Sequence, residues 1–105
     1  LAAVFPGEVV QEECRLMINY LTENRIALLL QAGLPDGTRF AHKHGWTVGG
    51  DGLIHTMSDA GIVYSPGGNY VIVIFLYDPF QLVFDPANEL VGEMSAIIYN
   101  YFNLP

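Results

Sequence analysis

The chain has 105 residues, 51% of them hydrophobic, and carries 11 Asp and Glu against 4 Lys and Arg for a formal net charge of −7 at pH 7. Such a composition, with a mean hydropathy of +0.32, excludes a disordered segment, and so few cations exclude a partner held through its phosphate backbone, hence no nucleic acid. The longest apolar runs, 26–30 and 70–77, fall well short of the roughly 18 to 20 residues that cross a bilayer, so no membrane span is expected.

Pro6-Gly7-Glu8 breaks the opening segment. Behind it Val10, Cys14, Met17, Ile18 and Leu21 recur at helical spacing among Glu8, Glu12, Glu13 and Arg15, which predicts an amphipathic helix over 8–22. Cys14, the single cysteine, falls on the apolar side of that helix. It cannot form an internal disulfide and is expected to be a small core residue without a catalytic partner. The stretch Arg25 to Ala32 is apolar without a clear period, but Gly33-Leu34-Pro35 is a helix stop, so a second, short helix is expected there. Asp36-Gly37 marks a turn before a strand over 38–47, which the glycine-rich 48–52 closes.

The next strand lies within 53–65, beginning near Met57, and Pro66-Gly67-Gly68-Asn69 makes a tight hairpin connection. The run Tyr70 to Tyr77 lacks the alternation of a half-solvated strand, which implies that both its faces are covered and that it sits inside a sheet. Asp85 as cap and Pro86 at the first helical position open a last helix. Its Leu90, Met94, Ile97 and Tyr101, flanked by Val91, Ile98 and Phe102, form the strongest apolar stripe in the chain and are expected to pack on the sheet. The sum is an α+β unit over residues 1–105: two helices, a three-stranded antiparallel meander and a long C-terminal helix, with no linker or repeat.

Lys43 stands out chemically. A lysine in mid-strand between His42 and His44, ahead of Gly45, is unusual because burying an ammonium costs several kcal/mol unless it is paired. The plain alternative is a lysine with its head in solvent. His42, His44 and His55 raise the question of a metal site, since residues two apart on a strand share a side and imidazole ligates zinc. No cysteine or carboxylate stands at ligand spacing beside them, and no metal is expected.

Three stretches together carry a resemblance: Phe40-Ala41-His42-Lys43-His44-Gly45-Trp46, then Asp59-Ala60-Gly61-Ile62-Val63-Tyr64-Ser65-Pro66-Gly67-Gly68, then the run Tyr70 to Leu76. Over about residues 8 to 105 the chain resembles the C-terminal part of a penicillin-recognising serine hydrolase of the class A β-lactamase type. Lys43-His44-Gly45 stands where that family has Lys-Thr-Gly. The resemblance implies a partial β-lactamase/transpeptidase-like fold lacking its N-terminal strands and the helical region that bears the nucleophile. It implies that Lys43 supplies positive charge beside the serine, and that the backbone N–H of Trp46 is the second oxyanion-hole donor. It also implies that His44 bonds a substrate carboxylate in the threonine's place, and that Gly45 lets the substrate backbone approach.

Two positions depart from the pattern: His44 itself, and Met57, where many class A enzymes carry an arginine two residues before the position of Asp59. Asp59 matches a family position and is expected to be a structural residue near a turn, not a catalytic acid. The motifs Ser-x-x-Lys and Ser-Asp-Asn belong upstream of Lys43, and neither occurs there. The chain is therefore expected to be one wall of an active site, inactive by itself. Its parent would act through an acyl-serine on a β-lactam or a related amide or peptide, with no cofactor. A non-catalytic binding or assembly module on the same scaffold is the other reading. Expected partners are the missing N-terminal portion or a second copy, paired through the edge of 70–77 over more than about 1,000 Å². By resemblance the protein is extracytoplasmic or secreted, any export signal having been removed or never part of this piece.

Overall fold

The computed structural model of the chain describes residues 7, 10–23, 26 and 28–105. The expected break at Pro6 and Glu8, and the Arg25 start of the second helix, lie outside the described residues. Helix α1 spans Gln11–Thr22. Its first turn is closed by Glu13, whose carboxylate accepts the Val10 N–H at 2.9 Å, satisfying a donor that the helix itself leaves orphaned. The second expected helix is a short 3-10 helix, Leu29–Gly33, ended as the Gly33-Leu34-Pro35 signal predicts.

Three strands follow, β1 (Arg39–Val48), β2 (Ile54–Tyr64) and β3 (Tyr70–Tyr77), in the antiparallel order β1-β2-β3. Strand β2 begins three residues before Met57, because Ile54 and Thr56 still pair with Val48 and Thr47 across a register shift in β1. In the register His44 lies opposite Asp59, and Asp59 opposite Ile74. Helix α2 spans Phe84–Phe102 with Val83 as its cap residue. Asp85 is thus in the first turn and not at the cap as expected, a place where its charge still complements the helix dipole.

The pleat divides the sheet into two faces. On one, Phe40, Met57, Val63, Tyr70, Ile72 and Ile74 form the core with Leu29 and Leu30 of the 3-10 helix and Ala87 and Val91 of α2. Leu29 and Leu30 are fully enclosed, each contributing roughly 1.5–3 kcal/mol of burial. Gly33 permits this layer, because a Cβ there would collide with the Gly92 carbonyl of α2. On the other face α1 covers only the β1 side, with Cys14 half-buried beside Met17, Ile18, Leu21 and Ile62.

Two expectations change here. Strand β3 is an edge strand in this chain, and burial along it alternates: Tyr70, Ile72 and Ile74 are buried, whereas Val71, Val73, Phe75 and Tyr77 are exposed. The continuous apolar run thus has one face in the core and one left exposed among the described residues. Likewise the buried residues of α2 are Ala87, Val91, Gly92 and Ser95, three of them small, where the 3-10 helix approaches closely, with Phe84, Ile98 and Tyr99 packed beside them. The stripe Leu90, Met94, Ile97 and Tyr101 points away from the sheet and is exposed, Ile97 at 69%. Among the described residues no helix is long and apolar enough to cross a membrane.

Candidate functional site

Alternation along β1 sends Lys43 and Gly45 to the α1 face and His42, His44 and Trp46 to the core face. Lys43 is exposed, and its Nζ donates to the His44 carbonyl at 2.8 Å. Beside it, a Cβ added to Gly45 would have nothing within 4 Å, so a ligand backbone can reach the strand there. Trp46 is exposed, its ring stacked on His44 at 5.7 Å and edge-on to Phe84 at 5.5 Å. Because β1 is the outer strand of the order β1-β2-β3, half of its backbone groups face away from the sheet. Lys43 and His44 line a cleft of about 300 Å³ against Ile26 and the end of α1, where Tyr20, Leu21 and Glu23 form the facing wall. The structure thus brings the four motif residues to one edge of the sheet on two faces.

His44 is buried. Burial, first, and then the neighbouring Lys43 charge hold its pKa below the ordinary histidine value, while Asp59 pulls the other way and His42 adds to the lowering. At neutral pH it is an uncharged imidazole, a single hydrogen-bond donor and not a cation. Met57 lies enclosed in the core, so the position where an arginine was sought offers no charge to the cleft.

Sequence reasoning placed Asp59 near a turn. It lies instead in mid-β2, 1% exposed, with Oδ1 at 3.0 Å from His42 Nδ1 and Oδ2 accepting the Leu30 N–H at 3.2 Å. His42 Nε2 in turn meets the Gln31 side-chain oxygen at 2.9 Å. This buried network escaped the sequence, although the two-residue offset between the partner of His42 (Gly61) and Asp59 puts them on one face of an antiparallel pair. His55 is elsewhere, bound to Asp51 at 2.7 Å and to the Asp78 carbonyl at 3.0 Å. Among the described residues no three His, Cys, Asp or Glu side chains converge where an ion could be held.

A family model described as the beta-lactamase enzyme family matches residues 1–102. The chain belongs to that family. Among solved structures this family member is similar to PBP-A, with 26% identity over 90% of the chain and a TM-score of 0.70. PBP-A has also been solved, as a variant, in an acyl-enzyme complex with penicillin G. The fold is shared with the TLA-1 extended-spectrum β-lactamase at 24% identity, 89% coverage and a TM-score of 0.77, and with a β-lactamase from Chitinophaga pinensis at 23%, 89% and 0.77. The chain covers 33%, 34% and 35% of those three structures, about a third of each. No curated protein matches it.

Proposed function

We propose that this family member is the Lys43-bearing wall of a serine hydrolase active site. The complete protein would form an acyl-serine with a β-lactam or a related amide or peptide, on a nucleophile that this chain does not supply. The observation that carries the reading is the arrangement on β1, the outer strand of the sheet: an exposed lysine and an unobstructed glycine beside one cleft. An extended acyl donor would lie along that edge as an added strand. Lys43 would favour the developing negative charge, the Trp46 N–H would serve as an oxyanion donor, and neutral His44 would donate one hydrogen bond to a carboxylate. The acyl-enzyme of PBP-A supports the substrate class. The present chain contains no Ser-x-x-Lys, so on this reading turnover requires the rest of the fold.

The apolar face Val71, Val73, Phe75 and Tyr77 and the stripe on α2 support a second part of the proposal, that the remaining portion of the domain, or else a second copy, covers them. A slab of 43 × 39 × 23 Å with a radius of gyration of 15.4 Å, against about 13 Å for a 100-residue globule, fits an incomplete body. An extracytoplasmic site of action follows from the same reading.

The test is acylation of the complete protein by benzylpenicillin, followed by intact mass. Lys43→Ala should slow acylation on the order of 10- to 1,000-fold with the thermal midpoint nearly unchanged, since the lysine is exposed. An unchanged acylation rate with a lowered midpoint would make Lys43 structural. Buried Met57 and the His44 substitution favour one alternative, a module that binds without chemistry; penicillin bound reversibly by the complete protein, with no mass increment, would establish it.

A further inference from the structure

His42 and Asp59 take no part in that chemistry, yet they are the most enclosed polar side chains beside the cleft, each 1% exposed. An ionised carboxylate only accepts, so His42 Nδ1–H donates to Asp59 Oδ1, while the other carboxylate oxygen takes the Leu30 N–H. With the Gln31 contact at Nε2, the pair ties β1, β2 and the 3-10 helix at one point, directly before Lys43. The 3-10 helix is also held from α2: Asn88 Oδ1 accepts the Leu29 N–H at 2.6 Å, and Ser95 Oγ donates to the Leu30 carbonyl at 2.7 Å. Leu29 adopts φ +55°, a left-handed conformation that a leucine keeps only where its surroundings over-determine it. Desolvating a histidine and a carboxylate yields little stability compared with an apolar pair of the same shape. What such a pair provides is fixed geometry.

We propose that His42 and Asp59 are positioning residues: they lock the 3-10 helix to β1, so that Lys43 and the Gly45-Trp46 backbone stand at a set spacing from the cleft's far wall. The lock is independent of the acyl-transfer reading. Its effect on rate rests on that reading.

The experiment uses the complete protein with benzylpenicillin as probe, and hydrogen exchange of residues 28–34 as a readout that needs no activity. Asp59→Asn keeps the shape but has one oxygen for two donors, His42 Nδ1–H and Leu30 N–H. Exchange over 28–34 should accelerate at least about tenfold, as a local opening, while β3 and the C-terminal half of α2 keep their protection. The acylation rate constant should fall on the order of 10- to 100-fold, the penalty for a small misplacement, with the noncovalent dissociation constant within about twofold. His42→Gln, whose amide still donates to Asp59, should recover part of the rate that His42→Ala loses. Unchanged exchange over 28–34 would overturn the lock. Equal loss of rate and affinity, or no recovery by His42→Gln, would overturn the positioning role. A wild-type protein that is not acylated at all would sink the acyl-transfer reading and with it the rate effect, while exchange still decides the lock. Should Asp59→Asn not fold, Gln31→Ala, half-buried and lost only from Nε2, carries the same two readouts.

Discussion

Gly33 and Gly92 face one another across the contact between the 3-10 helix and α2, and the structure predicts opposite outcomes for replacing them. A Cβ on Gly33 collides with the Gly92 carbonyl oxygen and lies 2.8 Å from the Gly92 carbonyl carbon and 2.9 Å from the Ala96 nitrogen. All three are backbone atoms of a helix, so no side chain can turn aside. The 3-10 helix must move outward by roughly 1 Å, and a gap of that size forfeits a quarter to a half of each dispersion contact it opens. The contacts at risk are those of Leu29 and Leu30, both fully buried, and overpacking of this kind costs about 1–3 kcal/mol. For a chain of this length that is a fall in thermal midpoint of roughly 5 to 20 °C.

The same methyl on Gly92 meets Ala32 Cβ at 3.5 Å, Gly33 N at 3.6 Å and Leu29 O at 3.7 Å, which is ordinary contact. In mid-helix it gains about 1 kcal/mol of propensity, so Gly92→Ala should hold the midpoint or raise it. Thermal unfolding followed by circular dichroism compares the two variants with wild type. Equal destabilisation by both would refute the close approach, and a neutral Gly33→Ala would place the 3-10 helix farther from α2 than described.

Three further outcomes follow. Tyr70 stacks on Phe102 at 4.3 Å, but its buried hydroxyl has no partner among the described residues, an omission worth about 1–3 kcal/mol. Tyr70→Phe should therefore keep or raise the thermal midpoint, and a clear fall would reveal a bonded hydroxyl. His55 donates to the Asp78 carbonyl and to Asp51, and these, in that order, raise its pKa above 6.5. Its contribution is complete below the unfolded value and is lost as pH rises through the higher folded one. The midpoint difference between wild type and His55→Gln should shrink from pH 5 to pH 8, and a constant difference would dissociate the clasp from protonation. Ile97→Lys, on the exposed stripe, should leave the chain's own stability within about 0.5 kcal/mol while weakening association in sedimentation. Association of unchanged strength would remove α2 from the covered surface.

The fold was legible where local signals agree. Glycine and proline punctuation at 33–37, 49–52 and 66–68 set the connections, and all three strands and the final helix stand within a few residues of expectation. The sides of elements were less legible. Apolar content alone marked Leu90, Met94, Ile97 and Tyr101 as the packing stripe, but the 3-10 helix comes so close that the buried residues of α2 are Ala87, Gly92 and Ser95, with Val91 as the one larger side chain among them. Backbone proximity selected small residues, a choice invisible to a hydrophobic period. For β3 the absence of alternation predicted a strand covered on both faces inside a sheet, whereas among the described residues it is an edge strand with Val71, Val73, Phe75 and Tyr77 exposed; an apolar run shows what a face is made of and not what lies against it.

At the site, Lys43, His44, Gly45 and Trp46 were named from a resemblance to a known motif, and the structure sets them along β1; the contacts of Asp59 were not legible, since nothing local marks a mid-strand aspartate as a buried acceptor. Its role emerges only when the register sets it diagonal to His42 and the 3-10 helix brings the Leu30 N–H above it. A buried carboxylate must have its lone pairs satisfied, and here the groups that satisfy them come from two other elements. A single side chain so placed fixes how those elements meet. The one fully buried acid in the described chain therefore specifies the geometry of the wall on which Lys43 stands.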